Sequence, residues 1–151
     1  MYAAIRVRGN VNVSPRIKKT LELLRLGKVN HLALVKKEQR AMLNKAQSYI
    51  TFGEVDEKTL ATALEKRGRL AGNKKIGQNF LKEKNFKGFG EIAKAVIEEK
   101  ETLSSLGIKP VLRLGPPKKG YERAGIKKGY SVGGALGYRA SDINSLIKRM
   151  I

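Results

Sequence analysis

The chain has 151 residues and no cysteine, so disulfides and thiolate metal cages are excluded. Its 32 Lys+Arg stand against 13 Asp+Glu, a formal net charge of +19; a surplus of that size repels itself and is relieved by a polyanion, for which nucleic acid is the general cellular case. One histidine, His31, excludes a His-rich catalytic zinc site, and no apolar run approaches the ~20 residues of a membrane span.

Residues 2–8 alternate, with Ala3, Ile5 and Val7 on one face and Arg6 and Arg8 on the other, and read as a half-buried strand. Ser14-Pro15 starts a helix, Ser14 as its cap and Pro15 at the first turn, with Ile17, Leu21 and Leu24 on the core face and Gly27 as C-cap. Arg16 and Lys19 ride on that helix as candidate contacts. His31 to Val35 is an apolar strand, Arg40 to Ile50 a second helix, and Thr51 to Val55 a third strand. Asp56 caps a helix running to Arg67. Gly68 to Lys75 is a glycine-rich basic loop. A short helix follows near 78–84, a stronger one over 90–100, and a short strand over 111–114. Residues 115–139 are rich in Gly, Pro and Lys, and Ser141-Asp142 opens a last helix carrying Ile143, Leu146, Ile147 and Met150. The N-terminus alternates charged and apolar groups, unlike a signal peptide, so a cytoplasmic protein is expected.

This order predicts an α+β protein. Residues 1–56 form a β-α-β-α-β core, a small three-stranded sheet with both helices on one face and the other face free to meet a partner. Residues 57–106 form a helical extension with a basic loop, and 107–151 a basic Gly/Pro-rich loop with a terminal helix, packed with the core as one unit. The charge falls in three basic blocks, 1–53, 66–89 and 102–139, separated by acids at 54–65 and 91–101, which predicts contact faces and free faces.

No catalytic constellation emerges. His31 has no nucleophile for which to act as base, and the carboxylates sit beside lysines on charged helices. Gly120 to Lys128 resembles a phosphate-binding loop, yet Ile126 intrudes before Lys127 and no Ser or Thr follows to hold magnesium. No metal, cofactor or small-molecule substrate is expected. Glycine-rich loops interleaved with cations suit another role, in which the backbone follows the surface of a folded RNA. The loop candidates are Arg67, Arg69, Asn73, Lys74 and Lys75, then Lys118, Lys119, Lys127 and Lys128. Arg6 and Arg8 add to them, and Tyr121, Tyr130 and above all Tyr138 offer rings for an unpaired base.

Two stretches of the core, Leu24-Arg25-Leu26-Gly27-Lys28-Val29-Asn30-His31 and Arg40-Ala41-Met42-Leu43-Asn44-Lys45, are joined by Gly133-Gly134-Ala135-Leu136-Gly137-Tyr138-Arg139 and the helix after it. Together they resemble the universal large-subunit ribosomal protein family numbered thirty in bacteria and seven in eukaryotes. Ala41 replaces a usual glycine. The bacterial form stops near residue 55 of this numbering, so the extension points to the archaeal branch. The resemblance implies a ferredoxin-like-related core and contact with large-subunit rRNA near the 5S RNA, among neighbouring ribosomal proteins. By position it implies RNA-facing roles for Arg25, Lys28, His31, Arg40, Asn44 and Lys45, and for Gly133, Gly134 and Arg139. The alternative is an architectural DNA-binding protein, but no helix carries a row of base-reading residues. An RNA-modifying enzyme is the third reading, and it lacks a nucleophile and metal ligands.

Overall fold

A computed structural model describes residues 1–151. The core elements are β1 (Tyr2–Arg6), α1 (Pro15–Leu23), β2 (His31–Val35), α2 (Arg40–Ala46) and β3 (Ile50–Glu54). They are followed by α3 (Glu57–Arg67), α4 (Gln78–Glu83), α5 (Phe89–Ile97), β4 (Val111–Arg113), β5 (Gly137–Tyr138) and α6 (Ile143–Met150). The fold is α+β, as the element order predicts. The sheet is wider than expected, with five strands in the order β4-β2-β1-β3-β5. β4 adds antiparallel to β2, with His31 opposite Arg113, and β5 adds parallel to β3, with Thr51 opposite Gly137. Both added strands come from the extension.

Every residue of β1 is buried, because the strand is central and both faces of the sheet are covered. On one face Tyr2, Ala4, Ala33, Val35, Ile50 and Phe52 pack with Leu21 and Leu24 of the first helical segment and with Leu43 and Ala46 of α2. The other face is not free. Ala3, Ile5, Leu32 and Leu112 pack under Leu60 and Leu64 of α3, Ile92 and Val96 of α5, and Ile143, Leu146 and Ile147 of α6. The correction has a plain cause: Ala3, Ile5 and Leu32 form an apolar underside that water would not tolerate, and the apolar stripes of three later helices match it.

The chain boundaries differ from expectation in small ways. α2 ends at Ala46, and Ile50 belongs to β3, where it pairs with Arg6. Gly27 is not the cap of α1. The chain turns at Arg25, whose φ of 60° is left-handed, while the Leu26 N–H donates to the Leu21 carbonyl at 2.8 Å. Neither Ser14 nor Asp56 makes a side-chain cap bond. The Asp56 N–H donates to Oδ1 of Asn144, whose Nδ2 donates to the carbonyls of Glu54 and Ser141 at 2.9 and 2.8 Å. This buried amide fastens α6 across the end of β3. Gly53 permits the same approach, since a Cβ there would lie 2.0 Å from the Ala140 carbonyl oxygen. No helix is long and apolar enough to cross a membrane.

Candidate nucleic-acid interface

The topology gathers one end of every strand. The C-termini of β1 and β4 and the N-termini of β2, β3 and β5 lie together, as the pairings Arg6–Ile50, His31–Arg113 and Thr51–Gly137 require. The loops leaving this end carry Arg8, Arg25, Lys28 and Lys127. The opposite end carries Glu38, Glu54, Asp56 and Glu57, and Glu99 meets Lys36 there at 3.8 Å. Sheet topology thus turns blocks of sequence charge into a basic pole and a mixed one.

Arg6 organises the basic pole from beneath. Its guanidinium is 2% exposed and donates to the carbonyls of Arg8 (2.8 Å), Leu26 (2.7 Å), Gly27 (3.2 Å) and Gly9 (3.0 Å), and to Asn10 Oδ1. Burial lowers its pKa, and no carboxylate neutralises it. The sequence expectation that Arg6 meets phosphate is corrected: the five acceptors that satisfy it are all protein groups, and it holds two loops in place.

A cleft of about 500 Å³ opens beside it, lined by Arg25, Lys28, His31, Lys109 and Arg113, with Glu22 the one acid. The left-handed turn at Arg25 sends that side chain outward, where it donates to Ser104 Oγ at 3.2 Å. Lys28 and Arg113 are exposed and have no protein partner. His31 is half-buried, and its Nδ1 is buried without a hydrogen-bond partner. Burial first, then the charges of Arg113, Lys28 and Arg6, hold its pKa below the ordinary 6.5. Folding therefore disfavours the imidazolium. Above pH 6.5 both folded and unfolded states are neutral; below it the unfolded chain gains a proton first, and stability falls. Melting temperature is expected to drop between pH 7 and 5.5, and His31→Gln to flatten the drop, as read by circular dichroism.

The sequence expectation brought Arg25, Lys28 and His31 to this place through the family motif but missed Lys109 and Arg113. Alternation over 109, 111 and 113 signals their common side; only the β2–β4 pairing shows what they face.

A second cleft, of about 550 Å³, lies at the same pole between the β1, β3 and β5 loops. Arg8, Gln47, Ser48, Lys127, Tyr130 and Tyr138 are among the residues that line it. Arg8 donates to the Ser48 carbonyl at 3.2 Å and lies 5.0 Å over the Tyr49 ring. Elsewhere the candidates spread over the surface. Arg16, Lys19, Asn44 and Lys45 are exposed on α1 and α2, and Asn73, Lys74, Lys75, Lys118, Lys119 and Lys128 are exposed on loops. Arg67 is tied to the Ile151 carbonyl at 3.0 Å, and Arg69 folds back on the Gly68 carbonyl at 2.8 Å. Arg40 covers the rings of Tyr2 and Tyr138 at 5.9 and 5.3 Å, and Phe52 packs against Tyr138 at 5.5 Å, while Tyr138 stays 42% exposed.

The tail motif is also corrected. Arg139 is 3% exposed; it donates to Thr51 Oγ1 (2.7 Å), to Glu122 Oε1 and Oε2 (2.8 and 3.2 Å) and to the Ala135 carbonyl (2.9 Å). Burial alone would raise the Glu122 carboxyl, but bonds from Arg139 and its own N–H, with the Arg139 and Arg149 charges, hold it below the ordinary value. Gly133, at φ 80°, closes the turn after Tyr130, and a Cβ on buried Gly134 would lie 2.2 Å from the Lys128 carbonyl oxygen. Gly133 thus permits the left-handed turn, and Gly134 the close approach of the Lys128 carbonyl.

A family model described as ribosomal protein L30p/L7e matches residues 2–50. Over the full length the chain is 53% identical to the large ribosomal subunit protein uL30 of Nanoarchaeum equitans, covering 100% of this chain and 99% of the relative. It is 45% identical to the uL30 protein of Methanococcus vannielii (99% of each) and 43% identical to that of Thermofilum pendens (100% and 99%). With identity of this order running through core, extension and tail, in archaeal relatives of equal length, the chain belongs to the large ribosomal subunit protein uL30 family.

Proposed function

We propose that this protein is a structural component of the large ribosomal subunit that holds folded rRNA against the basic pole of its sheet. The observation that carries the reading is the convergence of Arg25, Lys28, His31, Lys109 and Arg113 on one cleft, with a buried, uncompensated Arg6 behind them. Lys28 and Arg113 neutralise phosphates, and an anion seated between them favours the His31 imidazolium, so that binding takes up a proton. Arg8 and Lys127 extend the surface across the second cleft. Lys74, Lys75, Lys118, Lys119 and Lys128 reach out on loops, and Arg16, Lys19, Arg40, Asn44 and Lys45 on helices. Recognition is of RNA shape and backbone, with no catalytic step. The setting is the cytoplasmic ribosome, beside neighbouring ribosomal proteins and near the 5S RNA.

Filter binding of a large-subunit rRNA transcript tests this. Affinity is expected to fall by at least about 100-fold between 50 and 200 mM salt, since several phosphates lose their counterions together. Duplex DNA of equal charge should compete poorly. A flat salt profile, or a preference for duplex DNA, overturns the reading and favours the architectural DNA-binding alternative.

A further inference from the structure

We propose that the second cleft takes one unstacked nucleobase, held against the ring of Tyr130; this rests on the RNA-binding reading above. Tyr130 is anchored at its hydroxyl and at its backbone. Its hydroxyl donates to Asp142 Oδ2 at 2.6 Å, and its backbone N–H donates to the Leu136 carbonyl at 2.7 Å. The Arg139 guanidinium lies over one face, 4.5 Å from the centroid. Arg139 is buried and does not line the cleft, whereas Tyr130 does, so the covered face is the inner one and the open ring surface is turned to the cleft. A cation packed beneath a ring that sits above a polar cleft makes a rigid platform for a second flat π-system, at little entropic cost.

The remaining lining suits a nucleotide. Gln47 is exposed, its amide makes no bond to the protein, and it offers a donor and an acceptor for a base edge. Arg8 and Lys127 flank the opening and supply charge for the adjoining phosphates. The cleft exceeds the size of one base and is open, so a base swung out of a strand can enter without the chain threading through. Tyr138 also lines the cleft; with Phe52 and Arg40 packed against its ring it adds a second aromatic surface beside Tyr130.

The chain contains no tryptophan, so Tyr130→Trp places a single indole in the cleft. The probes are a six-residue oligoadenylate and an abasic ribose-phosphate oligomer of equal charge, titrated at low salt. Oligoadenylate is expected to quench the indole; the abasic oligomer is not. Tyr130→Leu should weaken oligoadenylate about 5- to 150-fold while leaving the abasic oligomer unchanged, and Tyr130→Phe should retain most of the binding. Equal affinity for the two oligomers, or undiminished oligoadenylate binding by Tyr130→Leu, overturns the stacking proposal while the rRNA transcript still binds with its salt dependence. Loss of all binding to both oligomers and to the transcript, by the wild-type protein, overturns both readings.

Discussion

Replacing Arg139 by alanine is expected to cost about 3–5 kcal/mol of folding stability, the range found when one partner of a buried ion pair is removed. For a chain of this length that is a fall of roughly 6–20 °C in melting temperature. The cause is specific. The guanidinium bonds Thr51 on β3, Glu122 in the long loop and the Ala135 carbonyl, so its loss strips the Ala135 carbonyl of that donor, leaves Glu122 with Arg149 alone and unties the tail from the sheet. Arg139→Lys keeps the charge but not the fork, and should recover only part of the loss. Thermal unfolding followed by circular dichroism reads the effect. A fall below about 3 °C shows that the loop is held by packing alone, and a double-mutant cycle with Glu122→Gln separates the ion pair from the other bonds.

The second large effect concerns binding. Lys28→Glu combined with Arg113→Glu is expected to weaken rRNA binding about 100-fold or more, taking each lost charge-assisted contact as ~1.5–3 kcal/mol. Both side chains are exposed and lack protein partners, so the melting temperature should hold or rise as the domain's surplus of positive charge falls. Lys37→Glu combined with Lys58→Glu, at the opposite pole, carries the same change of charge; it is the control and should change affinity little. Equal losses in the two proteins mean that binding is a diffuse response to net charge, without a preferred face.

Much of this architecture was legible in the residues. Alternation gave β1, and the spacing of Leu60 with Leu64 and of Ile143 with Ile147 gave α3 and α6. The short β-α-β-α-β order gave the core. What stayed hidden was long-range. Nothing local to Val111–Arg113 or Gly137–Tyr138 says which edge of the sheet each will extend, so the five-stranded sheet and its covered underside were missed together. The same limit governs the site. A basic residue looks alike whether it ends at phosphate or in the protein: Arg6 and Arg139 read as surface contacts and are buried clips, because their acceptors come from 20 and 88 positions away. The family motif placed Arg25, Lys28 and His31 correctly at one turn, but their partners Lys109 and Arg113 came only with the β4 pairing.

The covered underside of the sheet bears on how the chain is made. During vectorial synthesis β1 to β3 emerge with Ala3, Ile5 and Leu32 bare, and full shielding waits for Ile143 to Met150, which follow the whole extension. β5 joins the sheet equally late, across a separation of some 86 positions from Thr51 to Gly137. The nascent domain is therefore sticky until α6 docks, and that closure is the slow, non-local step. A truncation that removes α6 would strand it in that adhesive form.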